Sequence, residues 1–123
     1  MQAVIYGIKN CDTMKKAFGW LAEHRVAYRF HDYRKDGLDA DTLRGWCGSV
    51  GWKALVNTRG TTWRKLSPEQ QAIAGEDAAI ALMLENPSLI RRPVLAATGK
   101  ELLIGFEPER YAATLDADGG SKS

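Results

Sequence analysis

Apolar and polar positions alternate along this chain in three different rhythms. Residues 3–7 (A-V-I-Y-G) form a short apolar, β-branched run closed by Gly7, which predicts a buried strand. Met14, Ala17, Phe18 and Leu21 then recur at helical spacing, so residues 12–24 predict an amphipathic helix. It ends near His24-Arg25, whose side chains complement the negative end of the helix dipole. Val26, Tyr28 and Phe30 next alternate with Ala27, Arg29 and His31, the period-two signature of a second strand. Strand, helix and strand within ~30 residues make a βαβ unit, whose crossover is expected to be right-handed.

The middle of the chain is helical. Leu43, Trp46, Cys47 and Val50 share one helical face, and Ser67-Pro68-Glu69-Gln70 combines a capping Ser, a Pro at the first helical position and the Gln of a capping box. Residues 76–85 predict another helix, ended by Asn86-Pro87. Val94–Ala97 and Glu101–Ile104 flank Thr98-Gly99 as a tight hairpin, and a last helix runs from Glu107 to about Leu115. Residues 116–123 are a polar, glycine-rich tail expected to be disordered. There is no internal repeat and no interdomain linker. The order β-α-β, helices, β-β-α predicts an α/β domain over residues 1–115. Its mixed sheet has thioredoxin/glutaredoxin-like connectivity, with a helical insertion at about 38–86 between the two halves.

Composition narrows the class. The 123 residues, 45% hydrophobic and 26% charged, suit one soluble domain that needs no metal or disulfide staple. A net charge of +2 is too small to imply a nucleic-acid or membrane partner. No apolar run reaches the ~18 residues of a membrane span, and the N-terminus lacks a signal-peptide pattern. A cytoplasmic location, with thiols kept reduced, is therefore expected. Nothing argues against a monomer. The two cysteines, Cys11 and Cys47, exclude a disulfide scaffold and a cysteine-rich zinc site. No metal motif, P-loop or Ser-His-Asp arrangement is present, so neither a metal nor a bound cofactor is expected.

Candidate chemistry centres on Cys11, in Gly7-Ile8-Lys9-Asn10-Cys11-Asp12-Thr13 between the first strand and the first helix. Unpaired amides at a helix start favour a negative group, so a thiolate there is stabilised relative to a free thiol. Lys9, Lys15 and Lys16 would add positive potential and Asp12 would oppose it. The alternative is an incidental loop cysteine or a small buried residue. Position 14 is Met, so Cys11 has no adjacent thiol. Its oxidised state must be a mixed disulfide, a sulfenic acid or a longer-range bridge. Cys47 reads as a small hydrophobe in the core or as a resolving thiol. His24 and His31 read as solvated surface. From Lys53 to Leu66 there are Lys53, Arg59, Arg64 and Lys65 and no acidic residue, with Trp52 and Trp63 alongside. The stretch could be an anion pocket over Cys11, a docking surface for protein or nucleic acid, or a solvated face above two core tryptophans. Arg64 and Lys65 read as the solvated face.

Three segments together resemble a known family: Y-G-I-K-N-C-D-T-M-K-K-A at 6–17, N-T-R-G-T at 57–61 and L-I-R-R-P-V-L at 89–95. They are similar to the arsenate reductase (ArsC)/Spx family, and within it to the YffB-like branch with a single active-site cysteine, over about residues 2–115. The resemblance implies a thioredoxin-like fold with a helical insertion and a catalytic Cys11. Asn10, Asp12 and Thr13 would form the loop and helix start that stabilise the thiolate. Arg59 and Arg92, with Lys9, would bind substrate or anions. Pro93 is the cis-proline candidate. The implied activity is a glutathione-dependent thiol reductase or transferase working through one thiol. Glutathione or another small thiol would be co-substrate, and glutaredoxin or a protein disulfide a further partner. One alternative is arsenate reduction with glutathione and glutaredoxin. Arsenate needs several charge-assisted hydrogen bonds, however, and the stretch 103–108 lacks the third arginine of the family's arsenate reductases. The other is a non-enzymatic, Spx-like adaptor binding RNA polymerase, although Met14 replaces the second cysteine of the C-x-x-C pair usual there. Neither membrane nor direct nucleic-acid contact is expected.

Overall fold

Residues 3–7 form strand β1 (Ala3–Gly7), which buries Ala3, Ile5 and Gly7 and leaves Val4 and Tyr6 half-buried. It pairs in parallel with β2 (Tyr28–Asp32), in register from Ala3↔Tyr28 to Gly7↔Asp32. On its other side it pairs antiparallel with β3 (Val94–Ala97), which carries β4 (Leu103–Ile104) antiparallel. The mixed sheet of four strands has the order β2-β1-β3-β4. The computed structural model describes residues 2–9 and 11–116, so the expected tail, 116–123, lies almost wholly outside the described residues.

Helix α1 (Asp12–Glu23) connects β1 to β2 and buries Met14, Ala17, Trp20 and Leu21. Phe18, predicted on that face, is half-buried at its margin. It stacks on Tyr28 at 5.6 Å and meets Phe30 edge-on at 5.2 Å. β2 starts later than the alternation from Val26 suggested, because the exit from α1 consumes residues 24–27. The Val26 amide donates back to the Leu21 carbonyl at 2.9 Å, and Arg25 adopts the left-handed region with φ 57°. Glycine holds that conformation without a Cβ clash. Arg25→Gly is therefore expected to stabilise the chain by about 0.5–1 kcal/mol, read as an upward shift of the denaturant midpoint. His24 is exposed but not bare: its ring stacks on Trp20 at 3.8 Å and its Nδ1 lies 2.8 Å from the Trp20 carbonyl oxygen. His31 packs on Tyr6, ring centroids 4.9 Å apart.

The Lys100 amide donates to the Ala97 carbonyl at 3.0 Å, closing a β-turn with Thr98 and Gly99 at its centre, and Gly99 supplies the positive φ of 75°. The second strand of the hairpin is shorter than expected, β4 covering only Leu103–Ile104. The last helix starts as α8 (Pro108–Tyr111) and continues as a π-helix over Ala112–Asp116. Ile5, Met14, Leu21, Leu95, Leu103 and Tyr111 form the centre of the core on this side.

Contacts divide the chain into two compact units, the sheet unit up to Lys35 and from Arg92, and an inserted helical unit, Asp36–Arg91. The inserted unit comprises α3 (Ala40–Val50), α4 (Trp52–Leu55), α5 (Thr61–Arg64), α6 (Pro68–Gln71) and α7 (Glu76–Glu85). A short helical turn, α2 (Tyr33–Asp36), leads into it. Asp39 caps α3, its Oδ1 accepting from the Thr42 amide at 2.8 Å. The Ser67–Gln70 capping box forms as its sequence predicts, at 3.1 and 2.9 Å. Leu43, Trp46 and Cys47 of α3 and Ala79, Ile80 and Met83 of α7 are buried in this unit. Residues 89–91 stay with it because Asn57 and Arg91 donate to the Leu89 and Leu55 carbonyls, both at 2.8 Å. No helix among the described residues is long and apolar enough to cross a membrane.

Candidate active site

Strand topology gathers the chemistry at one end of the sheet. β1 and β2 are parallel, so the chain leaves both at the same edge, as Gly7↔Asp32 records. β3 is antiparallel and opens at that edge, with Val94 opposite Tyr6. Cys11 after β1, Tyr33 after β2 and Arg92-Pro93 before β3 are therefore neighbours by construction. Outside the carboxyl ends of parallel strands is where α/β sheets place their ligands.

Gly7 ends β1 against α1. A Cβ there would overlap the end of the buried Met14 side chain, which would have to move to admit it. Ile8 is buried and Lys9 exposed, while Asn10 lies outside the described residues. Cys11 is the N-cap of α1, extended at φ −125° and ψ 131°, and its carbonyl accepts from the Lys15 amide at 3.0 Å. Its sulfur is partly exposed. Partial burial alone would push the thiol pKa up. The Met14 amide, the Arg92 guanidinium and the Thr13 amide outweigh it, and the thiol is more acidic than an ordinary cysteine. Of the predicted neighbours, Thr13 is half-buried and Asp12 exposed.

Arg92 is half-buried and precedes a cis peptide bond to Pro93, as the resemblance implied. The Pro93 carbonyl accepts from the Gly105 amide at 2.8 Å, so this acceptor is engaged inside the fold. The Arg92 charge also acts on Tyr33, a residue the sequence pattern did not mark. Burial pushes the Tyr33 phenol strongly up, against an opposing pull from the Arg92 charge and with a smaller push from Tyr6. The available clue was its place directly after a strand parallel to the one that leads to Cys11.

Arg59 belongs to the inserted unit. It is exposed in the loop Asn57–Gly60, where its amide donates to Asn57 Oδ1 at 3.0 Å. Arg64 and Lys65 are exposed. Trp52 and Trp63 are only half-buried, not core residues. Cys47 is buried on α3, and burial together with the Glu76 charge pushes its thiol up against a weaker pull from Arg44. Among the described residues no group of three His, Cys, Asp or Glu side chains could hold a metal ion.

The model of the ArsC family matches residues 6–114. The chain belongs to the ArsC family. Its thioredoxin-like α/β fold is shared with a solved YffB protein that is 55% identical over 92% of this chain and 98% of that one, with a TM-score of 0.87. An arsenate reductase (ArsC) related protein from Brucella melitensis is 50% identical over 92% of this chain and 93% of its own, with a TM-score of 0.74. A global transcriptional regulator Spx from Streptococcus pyogenes is 30% identical over 111 residues, 89% of this chain and 81% of that protein. ArsC-family membership and the partly exposed, acidified Cys11 thus coincide at one end of the sheet.

The contribution of Arg92 is directly measurable. Wild-type Cys11 is expected to be alkylated by iodoacetamide at a rate that rises with pH and levels off below the pH at which a free cysteine would. Arg92→Gln should shift that midpoint upward and slow alkylation at neutral pH severalfold, because only the thiolate reacts. Stability follows the same sign. A thiol more acidic in the folded state contributes fully above its unfolded pKa of about 8.5, and the contribution is lost as pH falls through the lower folded value.

Proposed function

We propose that this ArsC-family chain is a glutathione-dependent thiol reductase or transferase with Cys11 as its only nucleophile. The acidified, partly exposed Cys11 sulfur beside Arg92 is the observation that carries this reading. The Cys11 thiolate attacks the glutathione sulfur of a mixed disulfide R–S–S–G. A Cys11–glutathione disulfide forms, and R–S⁻ leaves and takes a proton from solvent. A second glutathione thiolate attacks that disulfide, releasing oxidised glutathione and restoring the Cys11 thiolate. The net change is R–S–S–G plus GSH giving R–SH plus GSSG.

In this scheme the amides of the α1 start, at Asp12, Thr13 and Met14 with the Asn10 loop, hold the thiolate. Arg92 also holds a substrate carboxylate, with Lys9 as a further anion ligand. Glutaredoxin or a protein disulfide is a compatible partner, and a reducing compartment such as the cytoplasm would supply the glutathione. Arsenate is less well served. Where a third arginine would stand, Gly105 serves the Pro93 carbonyl and Phe106 packs edge-on against Tyr111 at 4.9 Å.

An NMR titration with reduced glutathione tests the reading. Resonances of Cys11, Thr13 and Arg92 should move saturably, and the protein should release thiol from a glutathionylated peptide. Absence of both effects overturns it. A partner captured equally by wild type and Cys11→Ala, without turnover, would replace catalysis with an adaptor role of the kind the Spx name describes.

A further inference from the structure

The inserted unit contains a cavity of about 420 Å³. Trp52, the first residue of α4, and Trp63 of α5 wall it, with Val56 and Ile73 adding aliphatic surface and Lys53 and Thr58 adding polar groups. Two half-buried tryptophans lining one hollow are unusual as packing, since an indole normally closes a core or an interface. The volume lies in the range of small-molecule sites, and the lining has their composition, mostly apolar with a few placed polar groups.

The walls are held in place independently of any occupant. The Gln71 side-chain amide donates to the Trp63 carbonyl at 2.8 Å. Thr58 sits in the loop whose ends are tied by the Arg59 amide to Asn57 Oδ1 at 3.0 Å and by the Asn57 amide to the Leu89 carbonyl at 2.8 Å.

Charge chooses the ligand class. Lys53 Nζ lies 5.7 Å from the centroid of the Trp52 ring, which puts a cation at the aromatic wall. Lys53, Arg59, Arg64 and Lys65 follow one another from 53 to 66 without an acidic residue. A neighbouring hollow of about 270 Å³ shares Ala72 and Ile73 but is flanked by Glu69 and Glu85, so the two hollows differ in sign.

We propose that the tryptophan cavity binds a small organic anion with a flat apolar body, an aromatic carboxylate being the simplest case. The ring lies between Trp52 and Trp63 and the acid group pairs with Lys53.

The experiment uses the full chain and three naphthalene probes: naphthylacetate, its neutral alcohol naphthaleneethanol, and cationic naphthylmethylammonium. The readout is the indole N–H resonances of the four tryptophans. Naphthylacetate should move those of Trp52 and Trp63 saturably and leave Trp20 and Trp46 in place. The alcohol should bind about fivefold more weakly, the upper end for one exposed charge pair, and the cation more weakly still. Lys53→Gln, an exposed position, should weaken naphthylacetate by about the same factor and leave the alcohol unchanged. Ala72→Phe, which fills the cavity, should abolish binding of all three. No movement with any probe, or equal affinity for acid and alcohol, overturns the proposal. So would movement of Trp52 and Trp63 on raising protein concentration alone, which would assign the cavity to a second copy of the chain.

Discussion

Cys11→Ser protein treated with oxidised glutathione stays at its unmodified mass, whereas wild type and Cys47→Ser each gain a single adduct. The contrast follows from two sulfurs in opposite settings. Cys11 is partly exposed at a helix start, with amides and a guanidinium lowering its pKa. Cys47 is 5% exposed, packed with Leu43 and Trp46 on α3, and its thiol is pushed up by burial. Reaction needs a thiolate and access, and only Cys11 has both. Turnover of a glutathionylated substrate should fall at least ~10³-fold in Cys11→Ser, as when other enzymes lose their nucleophile. In Cys47→Ser it should stay near wild type, at a cost in stability from the buried hydroxyl. An adduct on Cys47 in intact-mass and peptide mapping would refute the assignment.

Tyr111→Ala is expected to remove about 3–5 kcal/mol of stability, lowering the melting temperature by about 10–20 °C. Tyr111 is fully buried. Its ring meets Trp20 edge-on at 5.4 Å and Phe106 at 4.9 Å, so it joins α1, the segment after β4 and α8. Tyr111→Phe should do the reverse, neutral or stabilising by up to about 1 kcal/mol. The buried hydroxyl has no hydrogen-bond partner among the described residues, and removing it loses none. A loss well above that figure would mean the hydroxyl is satisfied by water. The pair also differ at high pH. Burial pushes the Tyr111 phenol up, so its contribution is complete below the unfolded tyrosine pKa of about 10 and declines above it, as the unfolded chain ionises first. Tyr111→Phe should lose part of that alkaline decline, measured by denaturant unfolding at successive pH values.

Much of this molecule could be read from residue order. A short apolar, β-branched run located β1, helical spacing located α1, the Thr98-Gly99 turn located β3, and the strand–loop–helix context singled out Cys11. The Ser67–Gln70 box was fully legible because both of its hydrogen bonds are local. What was missed depends on partners distant in the chain. The start of β2 moved because helix exit geometry took precedence over an alternation that Val26 only appeared to begin. Trp20 outranked Phe18 on the buried face because Tyr111, some 90 residues on, meets its ring edge-on. Nothing local dictates the cis bond at Arg92-Pro93, which came from family resemblance. Tyr33 became visible only once the parallel pairing of β1 and β2 put its strand end beside that of Cys11.

Met14 has a consequence for kinetics. It occupies the place one turn along from the reactive sulfur, wholly enclosed, with its thioether against Gly7. A thioether cannot exchange with a disulfide, so a capped Cys11 has no escape through that neighbour. The rate at which the cap is released is then first order in external thiol, and its lifetime shortens as that thiol rises. The capped fraction tracks the supply of that thiol, much as a slow gauge follows the pressure it is connected to.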